Sequence, residues 1–236
     1  MLTSHAVLVP FASYNDGTGP ASYLAHTAGR THHGLIIGES GAGKSRALEA
    51  ITHGLLDRVP TMLVHLDGQD GNASPAVWEM ATLRGGPDRA DEILDVLEKQ
   101  LDGRQYMRAD LGLDGLEPTD DIPLVLVVLE EMHALLDQTR ANRFAALGRK
   151  GAKCGLGLLA ATEHLHLYDT FAESTPLRTT LLTGNRIALH TNDAVSLAVL
   201  ARHGFASLGI NGTASDGFTA LPGLDAHPAP FSLTPA

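Results

Sequence analysis

The spacing of apolar and polar positions changes along the chain, and those changes separate strands from helices. Residues 122–129, inside "DIPLVLVVLEEMHALL", form an unbroken apolar run without alternation, which predicts a strand buried on both faces of a parallel sheet. The run stops at two adjacent acids, Glu130 and Glu131. Upstream, "AVLVP" at residues 6–10 reads as a short strand, and "SYNDGTGP" supplies the turn chemistry that follows it. "HHGLIIGESGAGKSRALEAITHGLL" then passes from an apolar strand through a glycine-rich loop into a helix. "TMLVHLD" is a second strand ending at Asp67, so this part alternates as a βαβ unit does.

Residues 90–107 set Ile93, Leu94, Leu97, Leu101 and Tyr106 near helical spacing with acids opposite, which predicts a helix covering the sheet. "HALLDQTRANRFAALGRKGAK" reads as helix, "GLGLLAAT" as another buried strand, residues 187–190 as a further strand and "AVSLAVLARHG" as helix. Beyond about residue 205 the chain is rich in Gly, Pro and Ala, with one short hairpin near "DGFTAL". The pattern predicts one α/β domain over residues 1–236, with a mainly parallel central sheet and helices on both faces.

Composition bounds this reading. With 236 residues, 44% hydrophobic and 19% charged, the chain can bury one substantial core. Cys154 is the only cysteine, which excludes an internal disulfide and suits a reducing, cytoplasmic compartment. No stretch approaches the roughly 20 apolar residues of a membrane span. The N-terminus lacks a basic region followed by an apolar core, so a soluble chain without direct membrane insertion is expected. The formal net charge of −10 argues against a nucleic-acid partner, although eleven of the acids, against four bases, crowd into residues 85–121. Conversely, Arg140, Arg143, Arg149, Lys150 and Lys153 form a run without acids. That run is either a solvated helix face or a contact for DNA or a neighbouring subunit.

The chemistry is carried first by "GESGAGKS", residues 38–45, which matches G-x-x-x-x-G-K-S directly after a predicted strand and at the start of a predicted helix. Gly38, Glu39, Ser40, Gly41, Ala42 and Gly43 would curl so that backbone N–H groups face phosphate, with Arg46 following in the helix. Lys44 would reach the β and γ phosphates of ATP, and Ser45 would hold Mg²⁺. Such a site needs a second acid group for the metal. Glu130 would assist the Mg²⁺ shell through water, and Glu131 would act as general base toward the attacking water. The competing reading is that the pair opens an exposed helix, where the dipole favours carboxylates. Glu163, after "LLAAT", stands where a γ-phosphate sensor would, and a carboxylate there repels phosphate unless it is protonated or paired with a cation. Arg186, before "IALHT", is either an arginine finger for a neighbour's nucleotide or a surface charge. His164 and His166 have ligand spacing, but no third ligand is apparent along the chain, so no metal site is expected there.

The order of these motifs resembles the FtsK/SpoIIIE family of the FtsK and HerA superfamily of ring-forming DNA translocases. The likeness runs through "VLVPFASYNDGTGPASYLAHTAGRTHHGLIIGESGAGKS", "LVHLDG", "LEKQLDGRQYM", "IPLVLVVLEEMHALL" and "GRKGAKCGLGLLAATEH", and "GNRIALHTND" falls where the family carries its arginine finger. There are departures. The acidic strand ends in Glu130–Glu131 where Asp–Glu is usual, Glu163 replaces a Gln, and basic pore-loop residues are not evident in "HTNDAVSLAVL" or "NGTASDG". The resemblance implies a RecA-like P-loop ATPase that assembles as a homo-oligomer, a hexamer in the family, and pulls double-stranded DNA through its channel. Nucleotide would lie between the phosphate loop of one subunit and Arg186 of the next. The size suits a minimal motor of the kind found in plasmid or mobile-element transfer, with a membrane-anchored partner as one arrangement. Two other readings stay open: a type VII secretion-like ATPase moving protein, and a degenerate domain that binds ATP to regulate an assembly.

Overall fold

The computed structural model describes residues 6–205, 216–222 and 228–233. Its centre is an eleven-stranded mixed sheet, ordered β3-β2-β1-β11-β10-β9-β4-β8-β7-β5-β6. One half is parallel throughout. It contains β4 (Gly34–Ile37), β5 (Thr61–Asp67), β6 (Leu83–Gly85), β7 (Leu124–Glu130), β8 (Leu156–Thr162) and β9 (Asn185–Leu189). The unalternated run becomes β7, and both of its faces are used. Val125, Val127 and Leu129 enter one core, while Leu124, Leu126 and Val128 enter the other. The first core is covered by α3 (Ala90–Asp110), α5 (Gln138–Gly151) and α6 (Thr175–Leu182). The second is covered by α1 (Lys44–Leu56), through Ala47, Leu48, Ile51 and Leu55. Shorter helices, α2 (Pro75–Met80), α4 (Met132–Leu135) and α7 (Ala194–Leu200), sit along the rim.

The other half of the sheet is antiparallel; the expected strand at residues 6–10 and the expected hairpin near "DGFTAL" fall in it, while β2, β3 and the pairing of the two chain ends are additions. The expected short strand extends to β1 (Val7–Tyr14), and "PASYLAHT", which carried no strand prediction, forms β2 (Pro20–Thr27) hairpinned against it. The turn between them holds Gly17 and Gly19 at positive φ. A two-residue β3 (Arg30–Thr31) pairs with β2. At the far end of the chain β10 (Asp216–Ala220) and β11 (Ala229–Ser232) pair antiparallel and sit between β9 and β1. The Gly- and Pro-rich C-terminal stretch therefore supplies two inner strands. Residues 211–215 of "NGTASDG" lie outside the described residues. The two halves are also tied by buried Asn185, whose Oδ1 accepts from Leu24 N at 2.8 Å and whose Nδ2 donates to Leu24 O at 3.0 Å and His33 O at 2.9 Å. Its amide stands in for a strand partner.

On α3 the expected inward Tyr106 is exposed, and Arg104 is the buried residue instead. Burial lowers the pKa of its guanidinium, which donates to Cys154 O at 3.0 Å and Pro123 O at 2.7 Å. Those bonds anchor the lead-in to β7. Arg104→Ala is expected to cost about 2–3 kcal/mol of unfolding free energy in a urea titration, because two charged hydrogen bonds from a buried guanidinium to backbone carbonyls are lost. A cost near zero would show that water replaces the guanidinium.

Candidate nucleotide site

The parallel register brings four strand ends to one edge. Ile37 of β4 stands beside Thr162 of β8, while Glu130 of β7 is opposite both Ala161 and Asp67 of β5. Ligand sites of open α/β sheets lie outside the carboxyl ends of their strands, and the glycine loop leaves β4 there. Gly38 N donates to Thr162 O at 3.2 Å, and a Cβ on Gly38 would stand only 2.8 Å from Leu189 Cβ. No side chain fits. Gly41 and Gly43 take φ of 77° and 100°, so the loop turns left-handed before α1 begins at Lys44.

Ser40, Gly41, Gly43, Lys44, Ser45 and Arg46 form one wall of a cleft of about 570 Å³, and Gln69, Ala73, Glu130, Glu131 and Glu163 form the other. The structure thus brings together five residues assigned chemistry from sequence: Lys44, Ser45, Glu130, Glu131 and Glu163. Lys44 Nζ donates to Gly38 O at 2.9 Å and Glu39 O at 3.1 Å, which holds the ammonium across the loop mouth. It also lies 3.5 Å from Glu163 Oε1. The cation that compensates Glu163 is therefore in the same chain. Glu39 points away from the cleft and accepts from Asn192 N.

Glu130 is the last residue of β7 and only 3% exposed. Its Oε2 lies 3.0 Å from His65 Nε2, and its Oε1 accepts from Ser74 Oγ at 2.9 Å. The extra methylene relative to Asp is thereby held in place. Glu131 behaves differently. It adopts φ 50° and ψ 48°, ends the strand before the short α4, and has His133 Nδ1 at 3.6 Å as its ionic neighbour. Its carboxylate lines the cleft. Asp67 is buried and accepts from Gln69 N, Gly71 N and Ala73 N, which shapes the loop after β5. Ala73 O in turn accepts from Ser45 Oγ at 3.0 Å.

His65, Ser74 and Asp67's loop were not assigned roles from sequence. The available signal was "LVHLD", a histidine two residues before the strand-ending acid, on the same face of a strand that must be buried. A wall of three carboxylates, facing the Lys44 ammonium, the Ser45 hydroxyl and a run of backbone N–H groups, fits a triphosphate carrying a hard divalent cation. Lys44 and the loop would hold the phosphates, with Ser45 and Glu130 toward Mg²⁺, which would neutralise phosphate charge.

Arg186 lies elsewhere. It pairs in register with Leu35 at the start of the parallel strands, the edge opposite the cleft, and donates to His203 O at 3.2 Å. Burial lowers its pKa, and among the described residues its Nε has no hydrogen-bond partner. The basic run is largely neutralised. Arg140 pairs with Asp91 at 2.7 Å, Arg143 with Asp91, Asp95 and Glu98, and Lys153 with Asp114 at 2.6 Å. The acidic and basic clusters of the sequence thus meet each other across α3 and α5.

Most of the chain aligns with solved structures. It matches the cytoplasmic domain of the type VII secretion ATPase EccC from Thermomonospora curvata with a TM-score of 0.72 at 23% identity, over 96% of this chain and 28% of that one. The pCW3 conjugation coupling protein TcpA, solved with ATPγS, matches with a TM-score of 0.69 at 15% identity, over 98% of this chain and 66% of that one. The chain therefore has the mixed α/β P-loop ATPase fold of these structures. The same fold at smaller size is seen in the genome-packaging NTPase B204 of Sulfolobus turreted icosahedral virus 2, solved with AMPPCP. There the TM-score is 0.58 at 10% identity, over 87% of this chain and 98% of that one. No protein-family model matches the sequence, and no curated protein matches it. The chain spans 28% of the EccC chain and 66% of the TcpA chain. Among the described residues no helix is long and apolar enough to cross a membrane.

Proposed function

We propose that residues 1–236 act as one Mg²⁺-dependent ATPase motor domain of a homo-oligomeric ring, a hexamer by likeness, that translocates double-stranded DNA. The observation that carries the ATPase reading is the convergence of Lys44, Ser45, Glu130, Glu131 and Glu163 on one cleft from three adjacent strand ends. Glu131 is the general base, Glu130 supports the metal, and Arg186, on the edge away from its own cleft, is offered to a neighbouring subunit. The fold shared with a conjugation coupling protein and a genome-packaging NTPase supports DNA as the polymer.

A second reading, translocation of protein, is favoured by a specific observation. Arg140, Arg143 and Lys153, candidates for phosphate contact, are already paired with carboxylates, and the chain shares its fold with a type VII secretion ATPase. The deciding experiment is ATP hydrolysis by purified protein with Mg²⁺, with and without long double-stranded DNA. Stimulation by DNA supports the first reading, turnover indifferent to DNA supports the second, and tight binding without turnover leaves a regulatory ATP-binding module.

Glu163 gives a separate test of the cleft. Its carboxylate shares Lys44 with the incoming phosphates, so Glu163→Gln is expected to tighten ATP binding about fivefold, as befits a partly exposed pair. A titration with a fluorescent ATP analogue measures it. Weaker binding in the variant would show that Glu163 works for the nucleotide, through its own partner, and not against it.

A further inference from the structure

His164 and His166 lacked a third ligand when read along the chain, and the fold supplies one. Asp193, at the junction of β9 and α7, faces them across the rim, and the ligand atoms of all three lie within 4.8 Å of one another. The two imidazoles stack with centroids 5.1 Å apart and an interplanar angle of 28°. We infer that His164, His166 and Asp193 form a binding site for one divalent transition-metal ion of the zinc class, separate from the Mg²⁺–ATP cleft. Two imidazoles and a carboxylate leave a fourth position for water, the donor set of a three-ligand zinc site.

The surroundings are those of a built site. His166 Nε2 faces Asp193, 3.1 Å from Oδ1, while its Nδ1 lies 3.3 Å from Asp169 Oδ2. A carboxylate behind the distal nitrogen of a ligating histidine fixes tautomer and ring direction. The backbone is fixed as well. Leu165, fully buried between the two histidines, donates its N–H to Ser196 Oγ at 2.8 Å, and His164 O accepts from Thr162 Oγ1 at 3.1 Å. Asp193 caps α7 by accepting from Ser196 N at 2.7 Å, so its carboxylate is held whether or not it ligates. Such anchoring limits the ordering needed on binding.

The site joins two arms beside the nucleotide cleft. One arm begins at Glu163. The other includes Asn192, whose N–H donates to Glu39 of the phosphate loop. A metal here would fasten the loop after β8 to the start of α7, which needs no ATP hydrolysis to be observed.

The test uses tag-free full chain, treated with chelator and free of nucleotide, titrated with Co²⁺. The expected result is visible d–d absorption saturating at one ion per chain and bleached by Zn²⁺, with Zn²⁺ raising the melting temperature of the same protein. Asp193→Asn retains a helix-capping side chain while losing the charged ligand, and His164→Gln changes an exposed residue; both are expected to lose at least about tenfold in Co²⁺ affinity. Asp169→Asn, behind the site, is expected to lose about tenfold without altering the stoichiometry. A parent protein without the Co²⁺ spectrum would overturn the proposal. So would affinity unchanged in Asp193→Asn and His164→Gln, which would leave His166 and Asp193 as an ion pair and helix cap alone.

Discussion

Lys44→Ala is expected to reduce ATP turnover by at least about 10²–10³-fold, the usual cost of removing one preorganised charge from a developing anionic centre. The structure explains why the loss should exceed that of an exposed lysine. The side chain is only 13% exposed, spans the loop mouth through Gly38 O and Glu39 O, and neutralises Glu163. Alanine removes the phosphate donor and at once leaves a carboxylate facing the phosphates. Nucleotide affinity should therefore fall together with turnover. Coupling between the two residues makes a sharper claim. The double variant Lys44→Ala/Glu163→Gln should bind ATP more tightly than Lys44→Ala alone, while its turnover stays lost. Measuring both Kd and kcat separates these effects, with a melting curve to confirm that α1 still folds. Turnover within about threefold of the parent in Lys44→Ala would place hydrolysis outside this cleft.

What the sequence made readable was whatever the backbone itself demands. The phosphate loop requires glycine at Gly38, Gly41 and Gly43, because a Cβ collides at the first and φ is positive at the others, and so the motif is visible without any partner. β7 was visible because burial on both faces leaves no room for a polar residue in its apolar run. Of the antiparallel half, only the first strand and the hairpin near "DGFTAL" were. β2 is built from Ala, Ser, Tyr and His around a single Leu, and its buried His26 is held by Glu117, about ninety residues later. β11 pairs with β1 from the opposite end of the chain. Pairings of that separation leave no local periodicity. The same holds within the site: Lys44 and Glu163 are 119 residues apart, and His65 and Glu130 are 65 apart. Glu163 looked like an isolated anomaly, and His65 carried no role, until the fold set them beside Lys44 and Glu130. The basic run was open between a solvated face and a contact for DNA or a neighbouring subunit for the same reason, since its partners Asp91 and Glu98 lie in the acidic cluster about fifty residues earlier.

The second large effect separates two adjacent acids that sequence alone could not distinguish. Glu131→Gln is expected to lower turnover by about 10²–10⁴-fold while leaving ATP binding near the parent value, the signature of a lost general base. Glu130→Gln should instead raise the Mg²⁺ concentration needed for activity, because its carboxylate is already committed to His65 and Ser74 and is shielded from solvent. Glu131 has the longer ionic contact with His133, at 3.6 Å, in place of such hydrogen bonds. What holds it is the backbone: Gly68 N donates to Glu130 O and Ala134 N to Glu131 O, and a Cβ on Gly68 would stand 2.5 Å from Glu131 O. The close fit keeps a non-glycine residue left-handed at a cost of about 1–2 kcal/mol. That cost aims the carboxylate into the cleft. Asn tolerates this conformation better than Glu, so Glu131→Asn should unfold at higher denaturant, gaining about 0.5–1 kcal/mol, while its turnover falls as in Glu131→Gln. Stability and activity moving in opposite directions at one residue would identify the strain as functional. A variant that lost both would show the left-handed turn to be held by the Glu131 side chain itself.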